Sequence, residues 1–250
     1  MRGTAPIGPR VAERTLPLSP ARSLYVADRR WGEGRLRLTI LSREGGIRLR
    51  IQPAVPLPPD PRAGRPTRAR LSPPFGGRWW ALEAPRPVLG NHHAVVPDQR
   101  HAYDFAIWRG RGTHRGDGAR NRDYWAWNRP VLAPAGGTVV TAVDGLRDNR
   151  PQGQTDARNP AGNHVVLRIG RGEHALLAHM RSGTVRVRPG QRVARGQMLG
   201  RVGNSGNSSE PHIHLHVQDR PEIRPGRGVG IPIRGPLAAV RTGDFLRGAR

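Results

Sequence analysis

The residues most able to do chemistry lie in Pro211-His212-Ile213-His214-Leu215-His216. On a β-strand, residues i, i+2 and i+4 share a face, so the three imidazoles point one way and Ile213, Leu215 and Val217 the other. Neutral imidazole is a good zinc ligand, and this alternation places two or three in one cleft. Asp104 in His101-Ala102-Tyr103-Asp104-Phe105 is a carboxylate within an apolar strand, where burial demands a cation or a metal. His179 ends the apolar run Ala175-Leu176-Leu177-Ala178. Taken together in one β-domain, these residues point to a zinc site. No Glu lies in a His-Glu-x-x-His pattern, which excludes that metalloprotease type.

Composition leaves few other chemistries. The 250 residues contain no Cys, which excludes disulfides, thiolate zinc sites, iron–sulfur clusters and thiol nucleophiles. The 42 basic residues are all Arg, so Schiff-base chemistry, a P-loop Lys and lipoyl or biotinyl attachment are excluded as well. A metal must therefore be held by His, Asp or Glu, and all ten His fall between positions 92 and 216. The formal net charge of +24 would suit a polyanion. The Arg residues are scattered, however, without a block of like charge or an aromatic-interleaved stripe. Weak polyanion binding through Arg is the expectation, with no obligate nucleic-acid partner. No apolar run approaches the roughly 18–20 residues of a membrane span, and the first twenty residues show no apolar core of an export signal.

The elements that must position the site read as short strands. Residues 35–53 alternate as a β-hairpin about Ser42–Gly46, preceded by an irregular lead over 1–30. Residues 54–77 are Pro-rich and read as a linker or wrapping loop. Strands are expected at Tyr103–Trp108, Pro130–Ala133, Gly137–Val143, His164–Ile169, Ala175–His179, Thr184–Val187, Gln197–Val202 and His212–Gln218. Ala119–Asn128 and Leu146–Asn159 read as exposed polar loops. The fold class is all-β, an antiparallel sheet domain over 81–235, with a small N-terminal β region in 1–80 and a tail at 236–250.

Residues 130–219 resemble the lysostaphin-like zinc endopeptidases that cleave peptide cross-links in bacterial cell walls. The matching text is PVLAPAGGTVVTAVDG, GNHVVLRIG, LLAHM and VRPGQRVARGQMLGRVGNSGNSSEPHIHLHV, and the likeness extends over 88–235. The resemblance implies a duplicated hybrid motif fold, a Zn2+ cofactor, a peptidoglycan or other peptide substrate, and work outside the cytoplasmic membrane. It implies that Asp104 and His214 bind zinc and that His179 and His212 are catalytic. In the family's usual His-x-x-x-Asp spacing the first ligand would fall on Arg100. Either a bulge re-aims His101, or an upstream His reaches in. Asn91-His92-His93 with Gln99-Arg100-x-Ala102-x-Asp104 resembles a divergent branch, which favours His93 over His92 and His101. His101, His216 and Asn91 are then expected to line the cleft or support the ligands. The same departure leaves a catalytically degenerate, wall-binding or regulatory module as the alternative.

Overall fold

A computed structural model describes residues 66–85, 93, 96, 98–223, 228–230 and 235–248, and the backbone of N-terminal strands within 15–53. Those N-terminal strands are β1 (Thr15–Leu16), β2 (Val26–Trp31), β3 (Gly34–Arg43) and β4 (Gly46–Pro53). They form one antiparallel sheet in the order β1-β4-β3-β2. The hairpin expected at 35–53 is β3 and β4, closed where Arg43 pairs with Gly46.

The larger sheet carries the site. Its strands are β5 (Arg78–Glu83), β6 (Tyr103–Ala106), β8 (Gly137–Val143), β9 (Asn163–Gly170), β10 (Glu173–Met180), β11 (Arg192–Val193), β13 (Ile213–Gln218) and β14 (Phe245–Arg247). They run antiparallel in the order β11-β8-β9-β10-β13-β6-β5-β14, and β7 (Pro130–Leu132) pairs separately with β12 (Met198–Arg201). Apart from short 3-10 turns at His93 and at Asn121–Asp123, the described residues form strands and loops, an all-β fold.

Cross-strand register sorts the central strands into two faces. Ala175 pairs with Val217, Leu177 with Leu215, and Ile213 with Phe105. These residues, with Tyr103 and Ala81, belong to the main apolar core. The other face carries Leu176 opposite His216, Ala178 opposite His214, and Asp104 opposite His214. Both faces of β10 and β13 are buried, the polar face of β13 as well as its apolar one.

Four expectations need correction. Thr184–Val187 forms no strand: Arg186 N–H bonds Leu199 O at 2.8 Å, while Val185 N–H bonds the Asp144 carboxylate and Thr184 N–H bonds Arg181 O. Ala119–Asn128 is not simply an exposed loop, because Tyr124 and Ala126 are buried and the Trp125 N–H bonds Thr113 O. Within 54–77, Leu71 and Phe75 are core residues, so the described part of that stretch is packed. In 236–250, Leu237 and Val240 are buried and Phe245–Arg247 pairs with β5 at the sheet edge.

Candidate metal centre

Register brings the first two site residues together. β13 and β6 are adjacent, and His214 lies directly opposite Asp104 on the face away from the core. His214 Nδ1 is 2.9 Å from Asp104 Oδ1. The other carboxylate oxygen, Oδ2, is 2.8 Å from His93 Nε2. His93 arrives through two tight turns, with Val96 N–H bonding His93 O and Gln99 N–H bonding Val96 O. The chain therefore folds back on β6, and no β-bulge is needed to recruit His101. Among the described residues, His93, Asp104 and His214 are the group able to hold a metal, their candidate ligand atoms all within 4.8 Å of one another. His101 is outside that group. Asn91 and His92 lie outside the described residues.

His179 reaches the same place against the alternation of its strand. Ala175 and Leu177 face the core, so regular pleating would send His179 there too. Instead His179 has φ 63° and the β9–β10 register shifts between Leu177 and Met180. A left-handed residue that is not Gly is uncommon and marks a position fixed by its surroundings. His179 Nδ1–H donates to Ser205 O at 2.8 Å, and its ring lies 4.8 Å from that of His212 and 5.6 Å from that of His214. His212 Nδ1–H donates to Glu210 O at 2.8 Å, and Nε2 is 3.6 Å from Asp104 Oδ1.

The Gly203-Asn204-Ser205-Gly206 run builds the bracket behind these histidines. Ser205 Oγ donates to Met180 O at 2.7 Å and accepts from Asn163 N–H at 2.9 Å. Asn163 Nδ2 donates to Met180 O and to Leu146 O. Ser208 Oγ donates to Asn204 Oδ1 at 2.7 Å and lies 3.3 Å from His212 Nδ1. Gly162 and Gly206 pack so closely that a Cβ on either would collide with the other's backbone neighbourhood. The Gly-Asn-Ser-Gly text is thus a scaffold that fixes where the backbone carbonyl of Ser205 points.

Partner chemistry then decides the proton positions. A carbonyl only accepts, so His179 and His212 each carry their hydrogen on Nδ1 and keep Nε2 as a lone pair. His93 Nδ1 faces Gln99 Oε1 at 3.1 Å, which likewise leaves Nε2 for the centre. Three imidazole lone pairs and an acceptor-only carboxylate therefore converge, which fits a bound cation. The electrostatics agree. Burial alone would raise Asp104, yet the neighbouring His93 and His212 and the hydrogen bond from His214 hold it well below the ordinary carboxylate range. Burial would lower His93, but Asp104, Glu83 and Gln99 raise it, so the carboxylate draws positive charge to itself. Burial pushes His214 down to about 3, and together with the neighbouring His212 and His214 it holds His179 well below its ordinary value.

Residues 123–225 match the model of Peptidase family M23. That segment of the chain is similar to a peptidase M23 domain. The match includes His179, His212 and His214 and stops short of His93 and Asp104. Over 93 residues the chain is 36% identical to the peptidoglycan DD-endopeptidase ShyA of Vibrio cholerae, covering 35% of this chain and 19% of that protein. An uncharacterized metalloprotease of Haemophilus influenzae is 32% identical over 93 residues, covering 36% of this chain and 17% of its own length. The chain thus spans less than a fifth of the length of either curated relative. Among solved structures, the catalytic domain of a mutant of the prophage-encoded M23 protein EnpA from Enterococcus faecalis is 21% identical with a TM-score of 0.40, covering 64% of this chain and 94% of that one. The catalytic domain of lysostaphin from Staphylococcus simulans is 17% identical with a TM-score of 0.35, covering 60% and 86%.

Three residues beside this centre carried weaker sequence signals. Gln218 continues the period-2 face of His212, His214 and His216, and that face could have been followed one step further. Gln99 belongs to the quoted Gln-Arg strand text, but its bond to His93 depends on the turn between them. Glu83, paired in register with Asp104 and with Oε2 at 3.9 Å from His93 Nε2, is brought in by a neighbouring strand and has no local sequence mark.

Proposed function

We propose that the chain is a zinc-dependent endopeptidase that hydrolyses peptide bonds, with peptidoglycan cross-links as the substrate and a place of action outside the cytoplasmic membrane. The observation that carries this reading is the convergence of His93 Nε2, the Asp104 carboxylate and His214 Nδ1 beneath the two further histidines. His93, Asp104 and His214 would hold the metal. Bound there, zinc would supply a Lewis acid able to activate a water and to polarise the scissile carbonyl.

The remaining work falls to residues of this chain. His179 and His212 present unprotonated Nε2 atoms while their Nδ1–H groups are anchored on backbone carbonyls. Such a pair supplies a proton acceptor for the attacking water and a proton donor for the departing amine. The anchoring keeps both rings oriented, which spares the reaction the cost of arranging them. The net charge of +24 favours retention on an anionic wall polymer.

Purified full-length chain, incubated with intact peptidoglycan sacculi, should release soluble peptide-linked fragments and contain about one zinc per chain. His212→Ala should keep its zinc and release none. A wild-type protein that binds zinc without cleaving wall peptides would make it a binding or regulatory module instead.

A further inference from the structure

A second concentration of polar chemistry lies along the same sheet, away from the metal centre. Cross-strand register sets Arg192 of β11 opposite Thr138 of β8, Thr138 opposite Arg168 of β9, and Arg168 opposite His174 of β10. His174 in turn pairs with Gln218, which continues the face of His214 and His216. Directly opposed residues point to one face, so Arg192, Thr138 and Arg168 stand in a row on the face that carries the metal centre. Four residues at roughly 3.3 Å each put this row about 13 Å along the strands from His214.

The row borders an open cleft of about 520 Å³. Arg171, from the turn between β9 and β10, lines it too, and Gly136 and Gly137 line it with bare backbone. A Cβ at Gly137 would lie 2.5 Å from the Arg168 carbonyl oxygen, so only glycine fits this close approach of strands. All three Arg residues are exposed, and among the described residues none of them forms an ion pair with a carboxylate. The acid beside the cleft, Glu173, is already engaged: it accepts from the Thr67 hydroxyl at 2.7 Å and from Arg68 N–H at 2.9 Å. Asp219 and Glu222 act on His174, the next residue of the row.

Like charges held side by side on a sheet repel, so this row is unfavourable until an anion bridges it. Strand spacing of roughly 4.8 Å sets the Arg192 and Arg168 backbones about 10 Å apart with the Thr138 hydroxyl between them. Two Arg side chains of opposite reach close that span onto one small anion. A carboxylate offers two acceptor oxygens, whereas a phosphate offers enough for three guanidinium groups and a hydroxyl, and its geometry matches the guanidinium fork.

We propose that this cleft is a binding site for phosphate groups, presented by a flexible polyol-phosphate polymer. No aromatic ring of the described residues lines the cleft, so it lacks the stacking platform of a nucleic-acid site. The choice of polymer rests on the place of action proposed above; the phosphate site itself does not, and Asp104→Ala should leave it intact.

Backbone amide NMR of the full chain, titrated with inorganic phosphate at constant ionic strength, should first move the signals of residues 136–138 and 170–171. Shifts scattered over the other Arg-bearing surfaces, or none in the cleft, overturn the proposal. Arg168→Gln combined with Arg192→Gln should weaken binding of phosphate and of poly(glycerol phosphate) at least ~10-fold, the effect of losing one charge-assisted hydrogen bond. Arg120→Gln combined with Arg158→Gln removes the same charge elsewhere and should leave both affinities within about 2-fold, because exposed charges beyond a Debye length are screened. Equal weakening by the two pairs would mean that net charge, and not the cleft, gathers the anion, and would overturn the proposal. Single-stranded oligonucleotide of equal charge that binds the cleft more tightly than poly(glycerol phosphate) would overturn the choice of polymer. Loss of wall-peptide hydrolysis with the phosphate shifts intact would instead count against the endopeptidase reading alone. The wild-type titration uses unaltered protein, so it decides even where a variant does not fold.

Discussion

On one face of β13, Ile213, Leu215 and Val217 pack with Leu177 and Phe105. On the other, His212, His214, His216 and Gln218 are just as enclosed. The first face needs nothing but fit, because apolar burial is favourable in proportion to area. The second is buried polar surface, and each donor and acceptor on it must be matched. The same backbone therefore supports a self-sufficient face and one that depends on proton positions and on positive charge at Asp104. Enclosure by itself does not mark a core.

Substitutions on the two faces should separate these roles, and the largest effects belong to the polar one. Asp104→Ala and His214→Ala should abolish stoichiometric zinc and lower hydrolysis by at least ~10³-fold, about 4 kcal/mol of barrier. His212→Ala should lose ~10²–10⁴-fold in rate while keeping its zinc, the range expected for a lost proton-transfer group. Steady-state hydrolysis of a wall peptide with parallel metal analysis checks all three. On the apolar face, Leu215→Ala should cost about 2–5 kcal/mol of stability by denaturant unfolding, with zinc affinity of the folded protein little changed. If Leu215→Ala removed metal binding without unfolding, the separation of the faces would break.

Smaller effects come from the bracket and from pH. Ser205→Ala removes the hydroxyl that joins Asn163 N–H to Met180 O, and should cost about 1–3 kcal/mol in the same unfolding measurement. For the metal-free protein, His164, His174, His179, His214 and His216 have values lowered by burial. A histidine lowered in the fold from its ordinary 6.5 contributes stability that is present above that value and is lost on acidification below it. His93, raised, works in the opposite sense, being fully stabilising below 6.5 and losing that contribution at higher pH. Asp104, lowered, keeps its contribution above the ordinary carboxylate range and loses it as pH falls from there toward its depressed value, outside this window. Five histidines outweigh one, so the melting temperature should fall between pH 7 and pH 5. His216→Phe should make that fall shallower, whereas Leu215→Ala should shift the whole curve without changing its slope.

The face assignment of β13 was legible because strict alternation of His with Ile, Leu and Val admits one reading on a strand. Asp104 stood out for a similar reason, as a carboxylate amid Tyr103 and Phe105. The spatial pairing of Asp104 with His214 and Glu83 was not legible, since strand neighbours 110 and 21 positions apart leave no local pattern. The choice between His93 and His101 turned on two tight turns after His93, which spacing rules for a continuous strand do not cover. His179 could be picked out only through resemblance, because its positive φ reverses what pleating predicts. Thr184–Val187 carried a strand's alternation yet lacks a ladder partner.

The most direct test of the metal centre is anomalous diffraction at the zinc edge from crystals of the full chain grown with zinc. One peak should lie within bonding distance of His93 Nε2, an Asp104 carboxylate oxygen and His214 Nδ1, with His179 and His212 beside it and unbonded. A peak held by other residues, or none at these three with the metal in excess, would contradict the account.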